Sequence, residues 1–435
     1  MNKTAMIAMI CGLGTSVWTW WPQTEVVTDT TPQTKQVLTA SGQAVDPNQI
    51  ASIRVVTLDK EARTPYPFEV KRQNGQWLIP SHFDYPADGG TRVGETAGAV
   101  LNVPLGPLVA TDKSSHSQYG VLDPMAAETS AEAGKRVTLS DEGGTVLVDV
   151  IIGKQKTGTD VYFVRRATEN SVYTAAIKPD ELKATFADWV ETDLLKISAD
   201  DIRMATVKDY SVDEGSGRIN PRSTVQIRRS DAKSPWEIQP PMVGQVIDET
   251  TIQAFTSEAS GLKLVGVRPY SNAWLQDRGF YVAQGGRELF GNEGEVSLIA
   301  KNGLIYRLFF GEIALGDDQD KVAKVTRDGQ AQTGSHNRYL AIFVQYDSAV
   351  DETLPKPTYS QASAPAEGAG GEPVARRADN QDAIDKAIAD GTVRAGKAQA
   401  RFQKFFYVIN DQSFKKLRPS MQQFYKKADV ASPAK

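Results

Sequence analysis

The side chains able to do chemistry are few. Three histidines, His82, His116 and His336, and one cysteine, Cys11, occur in 435 residues. Imidazole serves as base, proton carrier and metal ligand near neutral pH. These three are scattered: no HxxxH or HExxH spacing puts two on one helix face, so they read as surface or loop residues. No GxSxG elbow is present, and spacing groups no Ser, His and Asp. Gly153-Lys154-Gln155-Lys156-Thr157-Gly158 has a phosphate loop's outline without the GxxxxGK[ST] order, and its lysines fit a solvated hairpin loop. Asp317, Asp318 and Asp320 in GDDQD are the candidate metal ligands, because clustered carboxylates suit a hard cation such as Ca²⁺. They lack DxDxDG spacing and a closing Glu, and a solvated acidic loop is the simpler reading. Asp88 has no second acid or His partner with which to run general acid-base chemistry. The expectation is a protein that is not an enzyme, with no catalytic residue and no cofactor.

Composition agrees. Lys and Arg total 49 against 53 Asp and Glu, a formal charge of −4, which argues against a general nucleic-acid binder; one cysteine excludes a disulfide scaffold and a cysteine-rich zinc site. Hydrophobic content of 40% and charged content of 23% are those of an ordinary globular chain, long enough for two or three units. The charge is unevenly spread. From Arg376 to Lys435 stand 13 basic and 6 acidic residues, a local +7, so the remainder carries −11. That basic stretch reads either as ordinary charged helix faces or as a contact for anionic lipid or an acidic partner, the acidic body of a second copy included.

The N-terminus supplies a location. Thr4 to Trp21 is uncharged, and as a helix it spans about 27 Å, close to a bilayer core. Trp18, Trp20 and Trp21 stand at its far end, where indoles favour the membrane interface, and Pro22 stops the helix. Lys3 flanks the near side, Glu25 and Asp29 the far side, so the first residues stay cytoplasmic and the bulk is exported. A cleavable signal needs a small-x-small site that WTWWPQ does not offer, and Ile10 stands before Cys11 where a lipoprotein signal needs a small residue. Residues 1–21 are therefore expected to be a single-pass anchor in a bacterial inner membrane, and the polar, Thr-rich residues 22–48 a tether.

The body must position whatever is displayed, and it contains a repeat. Val137-Thr138-Leu139 matches Val296-Ser297-Leu298, Tyr119-Gly120-Val121 matches Arg278-Gly279-Phe280, and Trp77 matches Trp236, all at an offset of 159. Asp88 and Asp248, and Gly153 and Gly311, keep nearly the same register. The predicted fold class is α+β: two homologous repeats, 49–200 and 201–347 plus 404–428, each a largely antiparallel sheet with packed helices. Asn74-Gly75, Gly143-Gly144 and Asn302-Gly303 are the predicted hairpin turns. Helices are predicted for TRVGETAGAVLNVPLGPLV and ETTIQAFTSEASGLKLV, capped by Asp88 and Asp248, and an amphipathic helix after SVYTAA. Residues 348–403 interrupt the second copy as an insertion: a Pro/Ala/Gly/Ser-rich disordered linker, then an Ala-rich helix facing solvent or a partner. A smaller insertion, around GDDQDKVAKVTRDGQAQTGSH, precedes the strand at Tyr339, and residues 429–435 form a disordered tail.

The run FEVKRQNGQWLIPSHFDYPAD, then YGVLDP, VTLSDEGGTVLVDVIIGK, VYFVRR and ADWVETDLL resembles the bacterial family called domain of unknown function 4340. The likeness covers residues 50–200; the second copy is diverged and lacks YPAD and YGVLDP as such. The resemblance implies an N-terminal membrane anchor and an association with ABC-type transport or gliding-motility auxiliary components, and it implies no catalytic residues. The expected function is a non-catalytic extracytoplasmic scaffold or accessory subunit that meets protein partners in the cell envelope and no nucleic acid. The alternative is a ligand-binding module using the cleft between the two repeats.

Overall fold

A computed structural model describes residues 36–427 apart from 60–62, 127–131, 191–192, 214, 284–287, 315–336 and 360–377. The expected anchor with Trp18, Trp20 and Trp21, the carboxylates Asp317, Asp318 and Asp320, His336 and residues 429–435 all lie outside the described residues. Among the described residues no helix is long and apolar enough to cross a membrane.

Alternating burial builds the first sheet from nine strands: β1 (Ser52–Leu58), β2 (Pro65–Gln73), β3 (Gln76–Ile79), β4 (Tyr85–Pro86), β5 (Leu108–Ala110), β6 (Lys135–Ser140), β7 (Val146–Gln155), β8 (Tyr162–Arg166) and β9 (Val172–Ala175). Their order across the sheet is β4-β3-β2-β1-β6-β7-β8-β9-β5, antiparallel throughout. Asn74 and Gly75 turn β2 into β3 with φ of 51° and 78°, the left-handed pair that a tight hairpin needs.

The chain then gives β10 (Ile202–Val212), β11 (Ile219–Arg228), β12 (Glu237–Gln239), β13 (Gln245–Ile247), β14 (Gly266–Pro269), β15 (Phe280–Val282), β16 (Leu289–Gly291), β17 (Glu295–Ala300), β18 (Asn302–Ala314), β19 (Asn337–Asp351), β20 (Phe405–Asn410) and β21 (Tyr425–Lys427). Eight of them form the second antiparallel sheet, in the order β12-β11-β10-β17-β18-β19-β20-β14, while β13-β21 and β15-β16 make two small ribbons. Helices are short except for α4 and α5: α1 (Thr91–Gly98), α2 (His116–Tyr119), α3 (Phe186–Trp189), α4 (Glu249–Ser260), α5 (Gln381–Phe402) and α6 (Asp411–Leu417). The fold is mixed α+β with antiparallel sheets.

One apolar core runs through both sheets. At the junction, Tyr85 meets Phe405 edge-on at 5.1 Å, the Leu194 N–H donates to the Leu262 carbonyl at 3.2 Å, and Arg401 donates to the Leu194 carbonyl. Each sheet also carries a smaller cluster: Val121, Ile151 and Val172 on the first, and Leu275, Phe280, Phe309, Ala341 and Phe406 on the second.

Several expectations need correction. The helix predicted through Val109 stops at Gly98; Asn102 takes a φ of 57°, and Pro104 and Pro107 carry the chain into β5. Among the described residues after β9 there is no amphipathic helix, only a 3₁₀ turn at Pro179–Glu181 and the single turn α3, which ends where Val190 goes extended at φ −98° and ψ 155°. The end of the expected tether is part of the body. Leu38 is buried and its N–H donates to the Val103 carbonyl at 2.8 Å, while Arg166 donates to the carbonyls of Thr39 and Val37, each at 2.9 Å. The Ala-rich helix is α5, and it does not stand off in solvent. Ile384, Ala395 and Phe402 are buried, and the Gln399 side chain accepts from the Val344 N–H of β19 at 2.7 Å.

Candidate functional site: an aromatic-framed arginine

Two turns of like construction press on the two sheets. In the first, α2 ends at Gly120 with φ 68°, and in the second the 3₁₀ turn Gln276–Arg278 ends at Gly279 with φ 75°. Gly153 of β7 and Gly311 of β18 let these turns come close: a Cβ at either position would run into the carbonyl oxygen of Tyr119 or of Arg278, respectively. At the first turn, Tyr119 packs its ring on Phe163 at 4.7 Å between centroids. At the second, the residue in this place is Arg278.

Arg278 is 9% exposed. Its guanidinium carbon lies 5.4 Å from the ring centre of Trp274, 5.2 Å from that of Tyr339 and 5.0 Å from that of Phe406. Trp274 closes the 3₁₀ turn Asn272–Trp274, which Ser271 begins by accepting the Ala273 N–H on its hydroxyl, and the indole is 53% exposed. Phe406 comes from β20 and stacks on both Tyr270, at 4.7 Å, and Phe280, at 5.2 Å. Among the described residues no acidic side chain pairs with Arg278, and its buried Nη1 has no hydrogen-bond partner. Burial pushes its pKa down, and the like charge of Arg268 pushes the same way. A guanidinium nevertheless stays protonated, so the face holds a positive charge that the protein leaves uncompensated. Other buried arginines differ. Arg165 donates to the carbonyls of Val121, Ala167 and Glu169, and Arg338 to that of Gly311.

The remaining candidates fall elsewhere. Asp248 caps α4: its side chain accepts from the Thr250 N–H at 3.2 Å and from the Thr251 hydroxyl at 2.8 Å. Hydrogen bonding from Thr251 holds its carboxyl below the usual range. Asp88 is not a side-chain cap. Helix α1 has Gly90 at its cap position and no side-chain capping bond; Gly89 intervenes where the chain passes over the Trp77 ring too closely for a Cβ. Asp88 contributes its backbone, donating its N–H to the Trp189 carbonyl at 2.6 Å. His82 and His116 are not surface residues: His82 is buried and stacked on Phe186 at 4.2 Å, and buried His116 has Nε2 2.9 Å from the Asn170 carbonyl. Lys154 pairs with Glu132 beside the β7–β8 hairpin. Among the described residues no three of His, Cys, Asp and Glu are grouped to hold a metal ion. Much of the basic C-terminal stretch pairs within the chain: Lys416 with Glu258 at 3.0 Å, and Arg418 with Asp209 and Glu293.

Sequence reasoning passed over Arg278 as a site and used it only as the repeat partner of Tyr119. A signal was present in that pairing, an arginine standing at an offset of 159 residues from an aromatic ring at the like turn.

The fold and this face define a mixed α+β protein on two antiparallel sheets, with a charged aromatic surface as its most distinctive side-chain grouping. Residues 77–278 match the family model described as Domain of unknown function (DUF4340), the family whose resemblance the sequence carries. The match begins at Trp77 in β3 and ends at Arg278, so it crosses from the first sheet into the second rather than covering one of them. No curated protein and no solved structure matches the chain.

Proposed function

We propose that the protein is an extracytoplasmic scaffold or accessory subunit, anchored in the membrane by residues 1–21, that works by protein contact rather than by chemistry. The observation that carries this reading is the face around Arg278. Trp, Tyr and Arg dominate the energetic centres of protein interfaces, and here they stand together with half of the indole in solvent. At the junction of the sheets, by contrast, the aromatic packing of Tyr85 fills the space, and what stays open is a groove lined by Asp193, Lys196, Ile197, Ser198, Asp201 and Ser260. That favours contact over ligand capture in a cleft. An ABC-type or gliding-like envelope complex is the partner class that the family resemblance implies.

The two sheets are, in this proposal, two copies of one unit. Their shared strand order supports it, with β1, β2, β3, β6, β7, β8, β9 and β5 answering to β10, β11, β12, β17, β18, β19, β20 and β14. So does a repeated hydrogen bond: the Asp88 N–H donates to the Trp189 carbonyl, and the Asp248 N–H to the Phe424 carbonyl at 2.8 Å.

The test is purification of the full chain from detergent-solubilised membranes, with and without Trp274→Ala. The reading expects envelope proteins in fixed ratio to the wild type and their loss from the variant. A monomer that carries no partner from its native membrane would refute it. A reporter fused after residue 427 should be active only outside the cytoplasm.

A further inference from the structure

We propose that Arg278 receives a carboxylate from a protein partner, an acidic side chain or chain terminus flanked by apolar groups; this rests on the contact function above. The argument begins with cost. Burying a lone charge is expensive, and proteins ordinarily meet that cost with a counter-ion or a full set of hydrogen bonds. Arg278 has neither. Three rings offset part of the cost through cation–π attraction. They do nothing for the N–H donors: Nη1 is sealed from solvent and unbonded. Arg268, itself 8% exposed and opposite Phe406 in the β14–β20 register, adds positive potential on the same strands.

Such a group attracts an anion, and its shape selects among anions. A planar guanidinium offers two parallel N–H bonds that match a carboxylate edge. The surrounding rings, Trp274 above all, give apolar area to whatever carries that carboxylate, which suits an acidic residue between apolar neighbours better than a small hydrated ion. Charge complementarity therefore commits the site to an acidic protein segment.

The experiment uses the full chain in detergent micelles with ¹⁵N-labelled arginine, following the Arg278 Nε–H signal. The probes are the peptides acetyl-Leu-Glu-Leu-amide and acetyl-Leu-Gln-Leu-amide, with sodium phosphate as competitor. Expected is a shift of the Arg278 signal with the glutamate peptide, binding at least tenfold tighter than the glutamine peptide, and loss of that preference in Arg278→Met. The same variant, without peptide, should unfold no earlier than wild type, because it removes an unpaired buried charge. Trp274→Ala, whose site is half exposed, should weaken both peptides. Equal binding of the two peptides overturns the proposal, as does displacement of the glutamate peptide by phosphate at equal concentration, which would make this a general oxyanion site. A tenfold gain in glutamate binding on neutralising Asp317, Asp318 and Asp320 together would also overturn it, since the occupant would then be the chain's own segment. If membrane partners still co-purify with Arg278→Met, the scaffold reading stands and this assignment alone fails.

Discussion

Replacing Gly311 by alanine should destabilise the second sheet, and the size of the loss can be worked from its neighbours. Gly311 does not have a positive φ, so an L side chain is allowed and the whole effect is steric. An added Cβ would sit 2.7 Å from Cζ and 3.0 Å from Cε2 of Phe280, and nearer still to the carbonyl oxygen of Arg278. Nonbonded carbons ordinarily lie about 3.5–4.0 Å apart, so the neighbours would have to give by roughly 0.8 Å. The Phe280 ring could swing. The Arg278 carbonyl could not, because its turn is held by the Arg278 N–H donating to Leu275 at 3.1 Å and the Gly279 N–H donating to Gln276 at 2.9 Å. Overpacking costs about 1–3 kcal/mol, and a backbone obstruction belongs at the upper end. Disturbing the bond from Arg338 to the Gly311 carbonyl, 2.8 Å long, adds about 1 kcal/mol. A loss of about 4 kcal/mol in all would lower the midpoint of a unit of this size by roughly 8–16 °C. Gly153→Ala, 2.7 Å from Val121 Cγ1, should behave alike in the first sheet. Gly396→Ala is the control: α5 leaves its Cβ in open space, and alanine there should stabilise by about 0.5–1 kcal/mol. Thermal unfolding of the three variants decides. Losses below about 1 kcal/mol in both sheet variants, or a loss in only one, would refute the claim that the two glycines admit equivalent turns.

Asp248→Ala should lower the urea midpoint at pH 7, whereas Asp88→Ala should not, since alanine keeps the N–H that Asp88 uses. The carboxyl of Asp248 is held low in the folded state, so its contribution is present above the unfolded value of about 3.9 and fades as pH falls through the lower folded value; the two midpoints should converge near pH 2. Burial pushes the phenol of Tyr407 far up, with Tyr85 adding to the effect, so its contribution is complete below pH of about 10 and is lost above it; Tyr407→Phe should blunt the alkaline loss of stability. Phe402→Ala should cost about 3–5 kcal/mol in denaturant unfolding, because the α5 side chain is 1% exposed. Replacing 360–377 by a short Gly-Ser turn should leave the midpoint unchanged, because the Asp379 N–H already donates to the Thr358 carbonyl at 2.8 Å and the two ends meet.

What was legible in the sequence was local chemistry. Asn74-Gly75 announces its turn because few other pairs tolerate two left-handed residues, and Asp248 announces its helix because its side chain reaches donors two and three residues on. The closing strand at 405 was recoverable because Phe405, Phe406 and Tyr407 repeat a strand pattern across the insertion. Asp88 misled because the same residue type stands at nearly the same register, while the chain passes Gly89 over the Trp77 ring and starts its helix only after Gly90. The packing of α5 was hidden by its composition: alanine and glycine read as weakly apolar, yet they allow the close approach that brings Gly391 against the Tyr346 ring. Arg278 could not be recognised alone. Its three rings come from a neighbouring turn and two distant strands, and the lack of a counter-ion is a property of the folded arrangement.

The grip of Arg166 on the carbonyls of Val37 and Thr39 has a mechanical meaning. With residues 36–40 docked on the first sheet, the slack between the proposed anchor and the body is residues 22–35 and not 22–48. Fourteen residues reach about 50 Å at full stretch, half of what the longer leash would allow. A pull on residue 36 is shared between β8, a strand with neighbours on both sides that holds Val37 and Thr39 through Arg166, and the backbone bonds that tie Gln36 to Leu105 and Leu38 to Val103.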